Sequence, residues 1–221
     1  MTDGPLTDET GGWRDRAVER SLRRARERAV SRSERFIAVA TELLYETGSL
    51  EFTVSDLVER SGMSLRSFYQ HFASKDELLL AVFEEAIRAY VGALRRTVEA
   101  TEDPLEKLKV YVTGFYGAGE TGNRAASAAL SRYLLGLTGS NPSDVARVLE
   151  PQVGLLREII DAGVAAGRLR RDIPAPALTL LITHTLMSAV EMNVLGSRLT
   201  GDEVGAEDLW EFCAGGVRAR G

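Results

Sequence analysis

Cysteine occurs once in the 221-residue chain, as Cys213, and histidine only twice. A single thiol closes no internal disulfide, and so few soft ligands make no zinc site, so neither a metal nor a cofactor is expected and the fold must rest on an apolar core. Only 6 residues are proline, which excludes collagen-like and proline-rich disordered chains. HExxH, GxSxG and Walker patterns are missing, so no residue stands out as catalytic and the chain is not read as an enzyme. No uninterrupted apolar run approaches the roughly 18 residues of a bilayer span. The opening segment, residues 1–12, is acidic where a secretory leader would be basic and then apolar. The expectation is a cytoplasmic protein with no membrane partner.

What remains is 44% hydrophobic and 27% charged, an ordinary globular composition, long enough for a small domain joined to a larger one. The net charge of −5 argues against a nucleic-acid partner, but its distribution argues for one. From Arg14 to Lys75 there are 12 basic and 9 acidic side chains, a balance of +3, which leaves 15 against 23, or −8, elsewhere. Residues 13–35 alone carry nine arginines against four acids. This stretch reads either as a solvated, fraying helix or as an arm that touches phosphates. Residues 1–30 are expected to form a disordered, basic extension, with no structure assigned to 1–12.

Helical punctuation begins at Phe36. Phe36, Ile37, Ala40, Leu43 and Leu44 recur at three- and four-residue steps, and Gly48 stops the pattern. Thr53 stands three residues before Asp56, a capping-box spacing, and predicts a short helix over 54–61. Gly62 can take the left-handed conformation, and Ser64 can cap a third helix from Leu65. Ser74 with Glu77 opens a long helix whose apolar stripe runs from Leu79 through Tyr90 to Leu94. Asp103-Pro104 starts another. Further helices are expected at about 123–137, 143–166, 175–197 and 206–218, with no strand.

Two short helices around a glycine turn, Thr53 to Lys75, have the outline of a helix-turn-helix, although periodicity alone also fits a plain helical hairpin. Leu57, Val58, Met63, Phe68 and Phe72 would pack inward. Leu65, Arg66, Ser67, Tyr69, Gln70 and His71 are left for the outer side. Arg66 suits guanine, Gln70 adenine and Leu65 a thymine methyl, and Ser67 is a small adaptable donor. Thr53, Ser64, Tyr69, His71 and Lys75 suit phosphate oxygens, which fix register without reading sequence.

Thr53-Val54, Gly62, Ser64, Phe68-Tyr69, His71-Phe72 and Ser74-Lys75 stand in the order and at the spacing of the TetR family signature, which the chain resembles over about Phe36 to Val82. Val58 and Ser61 stand where alanine is usual, and Met63 where valine is. The resemblance implies an all-α fold: a three-helix DNA-binding domain, here 31–76, then a connector helix and a helical ligand-binding and dimerisation domain, 77–221. It implies a repressor that binds a palindromic operator as a homodimer and is released by a small apolar or amphipathic effector. The dimer face would be the last two helices, 175–197 and 206–218, where Leu178, Leu181, Ile182, Met192, Trp210 and Phe212 supply apolar area.

Other readings attach to three places. Gly117 to Gly122 matches GxGxxG after Val110-Tyr111-Val112, which offers a nucleotide-binding enzyme as an alternative, against the helical spacing of Leu105, Leu108, Val112 and Phe115. A protein-interaction module built on the hairpin is another. Tyr111, Phe115, Tyr116, Tyr133, Leu134 and Leu137 could line an effector pocket, though core packing explains most of them. His184 sits on a helix apolar nearly all round and is expected to be buried with one partner, with a ligand contact as its other role.

Overall fold

The computed structural model describes residues 13–120, 123–194 and 204–219, so the expectation for residues 1–12 lies outside the described residues. These described residues form an all-helical protein: α1 (Trp13–Thr47), α2 (Val54–Ser61), α3 (Leu65–His71), α4 (Lys75–Glu99), α5 (Pro104–Glu120), α6 (Arg124–Ser140), α7 (Pro142–Ala165), α8 (Ala175–Val194) and α9 (Ala206–Val217). The basic stretch is helical from Trp13 and runs without a break into the helix expected from Phe36, so residues 13–30 are not the disordered extension expected there. Its alanine, glutamate and arginine content favours that continuation. The side chains from Arg16 to Arg35 are almost all exposed.

The ends of the elements follow the residues that cap them. Gly48 closes α1 at φ +64° and Gly62 closes α2 at φ +70°, a region that costs glycine nothing. The Thr53 hydroxyl accepts from the Asp56 N–H at 3.2 Å, and the Asp56 carboxylate accepts from the Thr53 N–H at 2.6 Å. At α4 the Ser74 hydroxyl accepts from the Glu77 N–H, but the Glu77 carboxylate returns to the Ala73 N–H, one residue short of a capping box. Asn123 caps α6 through a bond from the Ala126 N–H to its Oδ1 at 3.1 Å.

Packing divides into two main cores. Phe36, Val39, Leu57, Phe68, Phe72, Leu78 and Val82 join α1, α2, α3 and the start of α4. The larger core gathers α4, α5, α7, α8 and α9 around Leu108, Tyr111, Leu156, Ile160, Leu186 and Trp210. Two smaller clusters complete the packing, Phe83, Leu134, Val145 and Val148 between α4, α6 and α7, and Leu44, Ala126 and Ala129 between α1 and α6. The loop after α7 is pinned to the end of α9 by an isolated antiparallel bridge between Leu169 and Arg218.

α8 is, by mean hydropathy over Ala175–Met192, apolar and long enough to cross a bilayer, which a search for unbroken apolar runs misses because Thr179, Thr183 and His184 interrupt it. Here it packs against α5, α6, α7 and α9, and among the described residues Leu180, Leu181 and His184 are left exposed. α5 is helical through Val110-Tyr111-Val112 and on to Glu120, and the described residues contain no strand, as the helical spacing led one to expect. The glycine-rich segment therefore lacks the strand-to-helix turn a dinucleotide site needs; its Thr121 and Gly122 lie outside the described residues.

Candidate functional site

The α2–turn–α3 unit is held from beneath by aromatic side chains. The Phe68 ring lies edge-on to Phe36, with centroids 5.4 Å apart, and Phe72 adds a second edge-on contact to Phe36 at 6.4 Å. Leu57 and Phe68 are fully buried, and Val58 and Met63 pack partly buried against the same cluster. Arg60 of α2 pairs with Glu46 and, at 3.7 Å, with Glu42 of α1, which fixes the rotation of α2 on that helix. Ser64 caps α3 by accepting from the Ser67 N–H at 3.1 Å.

With Phe68 pinned, helical geometry decides what α3 presents to solvent. Leu65 is 50% exposed and Tyr69 57% exposed, with Arg66 and Gln70 beside them on the outer surface. Ser67 and His71, expected on the same face, are half-buried. Their Oγ and Nε2 atoms are covered and have no hydrogen-bond partner. They stand one turn apart on the flank of α3. The outer set thus narrows to Leu65, Arg66, Tyr69 and Gln70.

Thr53 and Lys75 belong to the frame. Thr53 is exposed, but its hydroxyl and N–H are committed to Asp56, and that backbone donor first, then the hydroxyl, holds the Asp56 carboxyl below its usual range. The Lys75 ammonium donates to the Leu50 carbonyl at 2.5 Å and lies 4.8 Å from the centre of the Phe52 ring. It ties the start of α4 to the link between α1 and α2.

A second feature lies mainly in the larger domain: a cavity of about 320 Å³ between α4, α5, α6, α7 and α8, with Tyr45 of α1 at its edge. Of the residues expected to line a pocket, Tyr111, Phe115 and Leu134 do so. Tyr116 instead donates its hydroxyl to the Val204 carbonyl ahead of α9. The Tyr133 hydroxyl reaches the Asp76 carbonyl at 3.2 Å, and burial together with Asp76 pushes its pKa up to about 12. Leu137 packs beside Phe83 and Val148. His184 is exposed, against the expectation of a buried imidazole, because no described residue covers its side of α8.

The cavity residues missed in the sequence include Tyr90, Gln152, Thr183 and Met187. Tyr90 belongs to the apolar stripe of the connector, and the 83-86-87-90 spacing along α4 is the signal that this stripe continues past the small domain. The Tyr111 hydroxyl donates to the Gln152 carbonyl at 3.0 Å, while those of Tyr90 and Thr183 are buried without partners. Burial pushes the Tyr90 phenol pKa up.

Of the apolar residues expected at a dimer face, Met192 is half-buried and the others separate into two groups. Leu178, Ile182 and Trp210 are buried inside the chain's own core. Leu181 is 57% exposed and Phe212 71% exposed, with Leu180 at 55% beside Leu181 in the sequence of α8.

Comparison with known proteins agrees with this architecture. Residues 36–82 match the family model described as bacterial regulatory proteins, tetR family. The HTH-type transcriptional regulator TcmR of Streptomyces glaucescens is 30% identical over 178 residues, covering 79% of this chain and 69% of that protein. The HTH-type transcriptional repressor KstR2 of Mycobacterium tuberculosis (strain ATCC 25618 / H37Rv) is 25% identical over 86% of this chain and 95% of its own length. In fold, the chain superposes on the transcriptional regulator FadR from Bacillus subtilis, solved in complex with stearoyl-CoA, with a TM-score of 0.68 at 18% identity, covering 83% of this chain and 98% of that one. The chain belongs to the tetR family of bacterial regulatory proteins and is a DNA-binding transcriptional regulator.

Proposed function

We propose that this regulator is a homodimeric repressor, cytoplasmic as its DNA target requires, that binds a palindromic operator and releases it when a small molecule fills the cavity. Residues 31–76 act as the DNA-binding unit and 77–221 as the regulatory and dimerisation unit, each with a core of its own, the first completed by Leu78, Leu79 and Val82 at the start of α4. The observation that carries the reading is the outer face of α3. Leu65, Arg66, Tyr69 and Gln70 stand free over a buried Phe68, so a short helix held by the rings of Phe36 and Phe72 can enter a major groove side-chains first.

Arg66 is assigned to guanine, Gln70 to adenine and Leu65 to a thymine methyl. Tyr69 and the backbone at the starts of α2 and α3, capped by Thr53 and Ser64, are assigned to phosphates. Lys75 acts mainly by holding the start of α4 in place, its charge adding to the local field, while Ser67 and His71 stand half-buried on the flank of α3. The exposed arginines of the first half of α1 add phosphate contacts beyond the half-site. One such helix reads few bases, so two copies spaced about 34–36 Å apart are needed for a specific site. Leu181 and Phe212 on α8 and α9 are the exposed apolar side chains that pairing would cover.

Effector response follows from two shared helices. α4 lines the cavity with Phe83, Ile87 and Tyr90 and supplies Leu78, Leu79 and Val82 to the DNA-binding core. α6 faces the cavity with Leu130, Ser131 and Leu134 and packs Ala126 and Ala129 on Leu44 of α1. A ligand that fits better when α4 and α6 have shifted moves α1 to α3 with them; equal fit in both states would shift nothing. The names of relatives support this, since KstR2 is a repressor and FadR is seen with an acyl-CoA. Genomic fragments retained by the purified protein should share an inverted repeat, and Arg66→Ala should lose about 1–3 kcal/mol and relax preference at one base pair per half-site. Unchanged preference in that variant would remove Arg66 from the reading face.

A further inference from the structure

The cavity wall holds two hydroxyls that its own scaffold leaves unused. On α8, the Thr179 and Thr185 hydroxyls donate one turn back, to the Ala175 carbonyl at 3.0 Å and the Leu181 carbonyl at 2.8 Å. Thr183, between them, does neither; its Oγ1 is buried and has no hydrogen-bond partner. The tyrosines repeat the contrast. Tyr111 donates to Gln152 and Tyr133 to Asp76, whereas the Tyr90 hydroxyl is buried and unpartnered. Both orphaned hydroxyls line the same cavity. A buried hydroxyl without a partner is unfavourable, and valine and phenylalanine would fill the same shapes without it.

Charge narrows the ligand further. Among the described lining residues Glu191 is the one charged side chain, and none is lysine, arginine or histidine. An anionic group placed inside would be desolvated beside a carboxylate with no counter-charge. The volume of about 320 Å³ is near the lower end of small-molecule sites, of about 300–1,000 Å³. We propose that the effector is an uncharged, mainly apolar molecule carrying a hydroxyl or carbonyl oxygen that pairs with Tyr90 and Thr183. The inference rests on reading the cavity as the effector site.

The test uses three probes of one shape on the full-length protein: naphthalene, 2-naphthol and 2-naphthoate. Each is titrated calorimetrically and added to an operator-retention assay. 2-Naphthol should bind at least about tenfold more tightly than 2-naphthoate. Tyr90→Phe and Thr183→Val should each weaken 2-naphthol about three- to tenfold while leaving naphthalene within about twofold, which also shows that the variants keep the cavity intact. Val153→Trp, which fills the space, should abolish binding of all three. Equal or tighter binding of 2-naphthoate, or variants that bind 2-naphthol as the parent does, would overturn the proposal. Binding with the expected pattern but unchanged operator retention would leave the ligand class standing and remove the regulatory role of the cavity. No binding by any probe would remove both.

Discussion

The contact between α1 and α6 is tight enough to be tested with a single methyl group. Gly48 ends α1 at φ +64°, and a Cβ built on it would fall 2.5 Å from the Ala125 Cβ, inside the 3.0 Å that real Cβ atoms do not cross. Gly48→Ala therefore carries two penalties. The left-handed backbone costs an alanine about 1–2 kcal/mol. The overlap forces α1 and α6 apart by about half an ångström, an overpacking cost of about 1–3 kcal/mol. Gly62→Ala supplies the control, because Gly62 has nearly the same φ, +70°, and nothing within 4 Å of its added Cβ. At about 2–4 °C per kcal/mol for a chain of this size, thermal unfolding should fall by about 4–20 °C for Gly48→Ala and by about 2–8 °C for Gly62→Ala. Adding Ala125→Gly to Gly48→Ala should return most of the difference, since it removes the overlap and leaves the backbone penalty. The assay is calorimetric unfolding of the parent and the three variants in parallel. Equal losses for the two glycine variants, or no recovery in the double variant, would show that α1 and α6 do not meet as described and would take the coupling route with them.

Three further outcomes bear on the rest of the account. Leu181→Glu or Phe212→Glu should give a folded monomer with weak operator binding in ultracentrifugation and retention assays, whereas Trp210→Ala, which empties a site 2% exposed, should lower stability by about 3–5 kcal/mol; dimers persisting in the glutamate variants would place the interface elsewhere. Removal of residues 1–30 should leave operator preference intact, weaken binding on all sequences and flatten the log–log salt dependence by about 0.9 for each phosphate no longer neutralised; an unchanged slope would return the arginines to plain solvent. Cys213 is 5% exposed and burial pushes its thiol up to about 11, so iodoacetamide at pH 8 should label it only after unfolding, and fast labelling of the native protein would contradict its place in the core.

The small domain was legible because its signals are local. Thr53 with Asp56, Gly62 and Ser64 specify two helices and a turn within a dozen residues, and the structure places all of them as that spacing demands. What spacing could not tell is how far α3 is rotated. Ser67 and His71 share the outer arc on a helical wheel, yet the position of Phe68 between Phe36 and Phe72 tips them toward the protein. Lys75 is a comparable case: a free ammonium in the sequence, but one that meets Leu50 only after α4 folds back on the link after α1. In the larger domain, helix existence was readable and helix role was not. α8 is apolar around most of its circumference, so its pattern does not say which side is core, and Leu178 and Ile182 turn inward while Leu181 and His184 turn out. The pocket was half found for the same reason. Tyr111 and Phe115 line it, but their partners Tyr90 and Thr183 come from other helices, and no local pattern joins them.

The central claim, that paired copies set the Leu65 to Gln70 face of α3 into adjacent major-groove turns, is tested most directly by guanine-N7 methylation interference on a selected operator. The account predicts two symmetric clusters of interference about one helical turn apart, each losing a guanine signal in Arg66→Ala. A single cluster, or a pattern identical in the variant, would contradict it.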